Sequence, residues 1–133
     1  MTSPISEHSV KLAHALTFQE VHAANTARCR RWHEDRGEWS GADWATALGG
    51  ETGEALNVVK KLRRVECGLQ PGPNDPPVME LGAMLADELA DVFLYLDLLA
   101  WHYGIDLPYA IVAKFNRVSA TQGFPEELEH ERR

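Results

Sequence analysis

Apolar residues recur along this chain at spacings of three and four and nowhere alternate over a strand-length stretch, a pattern that predicts helices and no sheet. The first helix is expected over about residues 7–31, with Val10, Ala13, Leu16, Val21 and Ala24 as its apolar positions. A charged and aromatic loop follows. Asp43 then caps a second helix ending near Val65. The proline-rich stretch GLQPGPNDPP, residues 68–77, is an irregular connection. A third helix is expected over about residues 78–103, stopped by Gly104. Asp106 caps a fourth, with Pro108 in its first turn and Ile111, Phe115 and Val118 as its apolar positions. The class is all-α: one domain over 1–133, its core about 43–122, with a charged, frayed tail over 125–133.

Two of these apolar stripes are broken by acids. Glu51 and Glu54 interrupt the row of Leu48, Ala55, Val58 and Leu62; Glu88 and Asp91 interrupt the row of Leu85, Val92, Leu96 and Leu99. Each pair has i, i+3 spacing, so its members share one helix face. Carboxylates withdrawn from water without compensation are costly, and a hard divalent cation with all-oxygen preference, Mg²⁺ or Mn²⁺, would supply it. Gly49, Gly50 and Gly53, inside the same helix, suggest that a ligand or another backbone approaches closely.

Composition narrows the partners. The chain has 133 residues, 44% hydrophobic and 25% charged, with a formal net charge of −7. That balance argues against a sequence-independent grip on a nucleic acid polymer. The most apolar run, 89–105, contains Asp91, Asp97 and His102, against a membrane span. Cys29 and Cys67 form no disulfide framework or metal spacing, which fits a reducing, cytoplasmic setting.

A metal held by several carboxylates binds ligands that bring their own negative charge, phosphates above all. Lys60, Lys61, Arg63 and Arg64 follow the first acid pair, and Lys114 and Arg117 lie on the fourth helix; these could clamp phosphate oxygens. The residues therefore point to metal-assisted hydrolysis of a phosphoanhydride. A di-iron or di-manganese bundle would require Glu-x-x-His pairs, and neither acid pair has a histidine at that offset.

The strings GGETGEALNVVKKLRR, LADELADVFLYLDLLAWHYGIDL and AIVAKFNRVSATQGFP resemble the MazG-like, all-α nucleoside triphosphate pyrophosphohydrolases, whose signature is Glu-x-x-Glu followed on the next helix by Glu-x-x-Asp. The resemblance spans about residues 44–125. It implies a four-helix core, a homodimer or homotetramer, and Mg²⁺- or Mn²⁺-dependent hydrolysis of a (deoxy)nucleoside triphosphate to the monophosphate and pyrophosphate. Glu51, Glu54, Glu88 and Asp91 would be the metal ligands, and Lys114 and Asn116 would lie near the phosphates. Many members carry a further glutamate where this chain has Gly50, leaving Glu51 or Glu54 to activate water. The connection between the acid pairs is also longer than usual, placed in a loop where extra length costs little.

Trp39 and Trp44, just ahead of the second helix's acids, are candidates for stacking on a base. Trp32 and Trp101 are assigned to packing, and His22, His33 and His102 to structural roles. The third helix is apolar around most of its circumference over 89–101, more than one buried stripe requires, which predicts a homo-oligomer sealed through it. Two alternatives stand beside the enzyme reading: a nucleotide-binding protein with little turnover, and a structural helical oligomer whose acids are neutralised by Lys and Arg.

Overall fold

The computed structural model describes residues 14–35 and 37–129. These form four helices, α1 (Phe18–His33), α2 (Gly41–Glu66), α3 (Val78–His102) and α4 (Leu107–Gln122), and no strand occurs among the described residues. The all-α class is as the periodicity predicts.

The helix boundaries follow from local chemistry. Thr17 caps α1 in a capping box with Glu20, so α1 starts well after residue 7; Val10 and Ala13 lie outside the described residues. Ser40, not Asp43, caps α2: the Ser40 hydroxyl oxygen accepts from the Asp43 N–H, and Asp43, the acidic third residue of a second capping box, accepts in return from the Ser40 N–H and hydroxyl. Asp106 caps α4 as expected. At the far ends, Gly68, Gly104 and Gly123 all take positive φ. Leu69 N–H reaches back to Arg64 O and Ile105 N–H to Ala100 O, the six-to-one bonds of Schellman stops that need glycine just before them.

α2 and α3 form the main contact of the molecule, and α1 packs on α3 more lightly. Trp44, early in α2, meets Leu98, late in α3, while Val58 and Leu62 meet Leu81; the two helices are therefore antiparallel. Two apolar clusters result, with Cys29, Tyr95, Leu99 and Trp101 at one end of the seam and Met84 and Leu85 at the other. α3 is thus central, although Leu89 and Leu96 remain exposed.

α1 departs from expectation. Leu16 and Ala24 are exposed and Val21 only half-buried, whereas Asn25, Thr26 and Cys29 are buried. The helix is attached by polar bonds. Asp97, itself buried, accepts from Asn25 Nδ2 at 2.9 Å and pairs with His22 Nδ1 at 2.8 Å, and Asn25 Nδ2 also donates to Leu94 O. α4 makes only marginal contact with the other helices, and leaves Tyr109, Phe115 and Val118 exposed. The following segment is not loose: Asn116 holds Leu128 through its backbone N–H and C=O, at 2.8 and 2.9 Å. No described helix is long and apolar enough to cross a membrane.

Candidate functional site

The antiparallel seam brings the two acid pairs together between the two apolar clusters. Carboxylate oxygens of Glu51, Glu54 and Glu88 lie within 4.8 Å of one another. Opposite oxygens around an octahedral Mg²⁺ are about 4.2 Å apart, given Mg–O distances of about 2.1 Å, so a small rotamer change closes this group on a cation. Asp91 stands one turn along α3, beside this trio rather than within it; it shares a cavity wall with Glu51.

None of the four acids is ion-paired among the described residues. The electrostatic consequence falls on the proton affinity of Glu51 and Glu88. Glu51 is raised above the ordinary carboxylate range by partial burial, then by the charges of Asp91 and Glu54. Glu88 is raised by burial, then by Glu54, Glu51 and Asp91, and by a hydrogen bond shared with Glu54. Like charges crowded without a counter-ion resist joint ionisation, and the donor set is the hard-oxygen one that Mg²⁺ and Mn²⁺ take.

Glu51, with Asp91, lines a cavity of about 470 Å³ that Glu54 and Glu88 do not reach, a volume suited to a small-molecule ligand. α1 supplies Asn25, Arg28, Cys29, Trp32 and His33, spaced as one helical face; α3 supplies Asp91, Leu94, Tyr95 and Leu98; α2 adds Trp44 and Glu51. Trp39 and Trp44 pack with ring centroids 4.6 Å apart, and His33 sets its edge against both. Trp44 is buried in the apolar cluster, so Trp39 presents the more open face. The Tyr95 hydroxyl is held protonated by burial and by the nearby Glu51 and Asp91.

The remaining expectations divide. Trp101 packs against the apolar cluster as assigned. Trp32 does not: it is 62% exposed, with Arg28 over its ring at 5.8 Å, because the face of α1 that carries it looks into the cavity. His22 pairs with Asp97 and His33 with Gly37 O, His33 also lines the cavity, and the exposed His102 lies against the Tyr103 ring. Lys61 and Arg64 turn to Asp75, at 3.9 and 3.2 Å, pinning the proline-rich loop to α2. Lys60 is exposed. Lys114, Asn116 and Arg117 ride on α4 and line no part of the acid group or its cavity. The helix glycines Gly49, Gly50 and Gly53 have open space where a Cβ would stand, and the close approach expected there does not occur among the described residues. Asn25, Arg28 and Tyr95 were not singled out by periodicity, although the i, i+3, i+4, i+7 run of α1 carries the signal.

The sequence matches no family model and no curated protein significantly.

Proposed function

We propose that this chain is a metal-dependent nucleoside triphosphate pyrophosphohydrolase of the MazG-like, all-α kind, converting a (deoxy)nucleoside triphosphate and water to the monophosphate and pyrophosphate, a nucleotide-pool house-cleaning reaction in the cytoplasm. The observation that carries this reading is a group of carboxylates without ion pairs, one of which, Glu51, lines an aromatic cavity together with Asp91. Glu51, Glu54 and Glu88 would hold Mg²⁺ or Mn²⁺, with Asp91 completing the set. When bound, such an ion polarises phosphoryl oxygens, lowers the pKa of water and neutralises the leaving pyrophosphate. Glu51 or Glu54 takes the proton of the attacking water, since Gly50 offers no side chain. Of the two candidates Trp39 and Trp44, Trp39 would stack on the base with its open face, backed by the buried Trp44. The structural-oligomer reading is weakened because Lys61 and Arg64 neutralise Asp75 instead of the quartet.

The assembly belongs to the same proposal. α4 is nearly unsupported, and Leu56, Leu89, Leu96, Phe115 and Val118 are exposed. A homodimer or homotetramer through α3 would cover them, and a second subunit's α4 would bring Lys114, Asn116 and Arg117 to the phosphates. Size measurement should give a dimer or tetramer; a stable 14.9 kDa monomer would remove this part.

The decisive assay is a panel of common and damaged nucleoside triphosphates with Mg²⁺ or Mn²⁺, resolving monophosphate from diphosphate. Metal-dependent pyrophosphate release is expected. Diphosphate and orthophosphate would contradict the bond assigned. Gly50 supports a second reading, a nucleotide-binding protein with little turnover, for which nucleotide raises the melting temperature without pyrophosphate release.

A further inference from the structure

Asn25 is 4% exposed yet forms part of the cavity wall. Its Nδ2 gives one hydrogen to Leu94 O and the other to Asp97 Oδ2, each at 2.9 Å. A peptide carbonyl and a carboxylate only accept, so the amide has one possible orientation, with Oδ1 turned away from both. His22 holds Asp97 from the other side and so keeps the amide in place. Oδ1 is met by Arg28 Nη2 at 3.4 Å, near the limit of a hydrogen bond. A carbonyl oxygen has a second lone pair, and Arg28 is the one donor to Oδ1 among the described residues. Arg28 is exposed, and its fork carries further donors.

From this we infer that Asn25 Oδ1 and the Arg28 guanidinium form a side-by-side acceptor and donor that read the hydrogen-bonding edge of a nucleobase, an N–H next to a ring acceptor, while the tryptophans hold its face. The inference rests on the nucleotide reading above and extends it: the base is selected by its edge and not by stacking alone. Stacking accepts any flat ring. A locked acceptor rejects a ring that cannot donate to it, because the oxygen is then desolvated without a partner.

The test is calorimetric titration of the full chain with common nucleoside monophosphates, which cannot turn over, each beside its counterpart methylated on the base-pairing edge. At least one parent should bind, and methylation should weaken it about tenfold or more. Arg28→Ala and Asn25→Ser should shrink that ratio to within about threefold, by weakening the parent more than the methylated ligand. Asn25→Ser also opens the α1–α3 contact; if it does not fold, the exposed Arg28→Ala carries the comparison. Equal binding of parent and methylated ligand by the wild type overturns the inference, as does a ratio unchanged in the variants. If the same methylated bases, as triphosphates, still yield metal-dependent pyrophosphate at the parent rate, the edge reading fails and the enzyme reading stands. If nothing binds and no pyrophosphate appears, both fail.

Discussion

Two contacts hold acids against α3, and they treat charge in opposite ways. Where α1 meets α3, Asp97 is buried and bonded on both oxygens, to His22 and Asn25. Where α2 meets α3, Glu51, Glu54 and Glu88 crowd together, and none is ion-paired among the described residues. The chain has the means to satisfy a carboxylate, and does so again at Asp75, whose proton affinity is lowered by the Gly72 N–H and then by Arg64 and Lys61. Asp97 is buried and bonded from within the chain, whereas Glu54 and Asp91 are exposed and Glu51 and Glu88 half-buried, so water reaches this group and its crowding, not its burial, sets it apart.

Removing single acids on the two sides should separate them most sharply. Glu54→Gln or Glu88→Gln should cut pyrophosphate release by at least about a hundredfold, since even outer-shell changes cost up to that much at metal sites. The same variants should melt at or above the wild-type temperature without metal, and lose the rise that Mg²⁺ gives by binding the folded state. Variants that melt far lower without metal while keeping full activity would make these acids structural.

Asp97→Ala should show the opposite profile. It strands the Asn25 amide, at a cost of about 1–3 kcal/mol for a buried group left unsatisfied, read by urea denaturation. The melting shift on adding Mg²⁺ should persist. An unchanged stability would mean that α1 is held by something other than this network.

The smallest effect is in the pH dependence. Glu51 and Glu88 have raised folded-state pKa values, so in the metal-free protein they hold protons more readily folded than unfolded. Their contribution to stability is then lost as pH rises from the ordinary carboxylate value through the raised one, and stays lost above it. Glu20, Asp43 and Asp75 are lowered and act in the opposite sense, so the overall curve mixes both. The difference between wild type and Glu51→Gln/Glu88→Gln isolates the raised pair: the double variant should gain relative stability as pH rises through that window, and saturating Mg²⁺ should erase or reverse the gain. A difference that does not vary with pH would remove the crowding argument.

The part of this contrast that lies on α2 and α3 was legible in the sequence, because acids breaking a stripe of Val, Leu and Ala stand out against a 3.6-residue period. Gly104 and Asp106 marked the turn into α4 for equally local reasons. α1 was not legible in the same way. Its buried face is Asn25, Thr26 and Cys29, and a search for apolar periodicity settles on Val21 and Ala24 instead. Missing the polar face also hid the cavity wall, since Asn25, Arg28 and Trp32 lie along it. Ser40 was passed over for Asp43 because both residues of a capping box resemble caps when only the chain is seen. The tasks of Lys61 and Asn116 depend on partners 14 and 12 residues away, Asp75 and Leu128, and no local pattern announces such pairings.

The placement of the tryptophans has an optical consequence. Trp44 and Trp101 belong to the cluster at one end of the α2–α3 seam, and Trp32 and Trp39 line the cavity beside it. The cluster of Val58, Leu62 and Leu81 at the other end contains none. Intrinsic emission therefore reports on one half of the molecule, while far-ultraviolet dichroism follows all four helices. If the chain unfolds in a single step, the two signals will trace the same curve; if the cavity end loosens first, emission will change ahead of dichroism, and the gap between them will measure how independently that half opens.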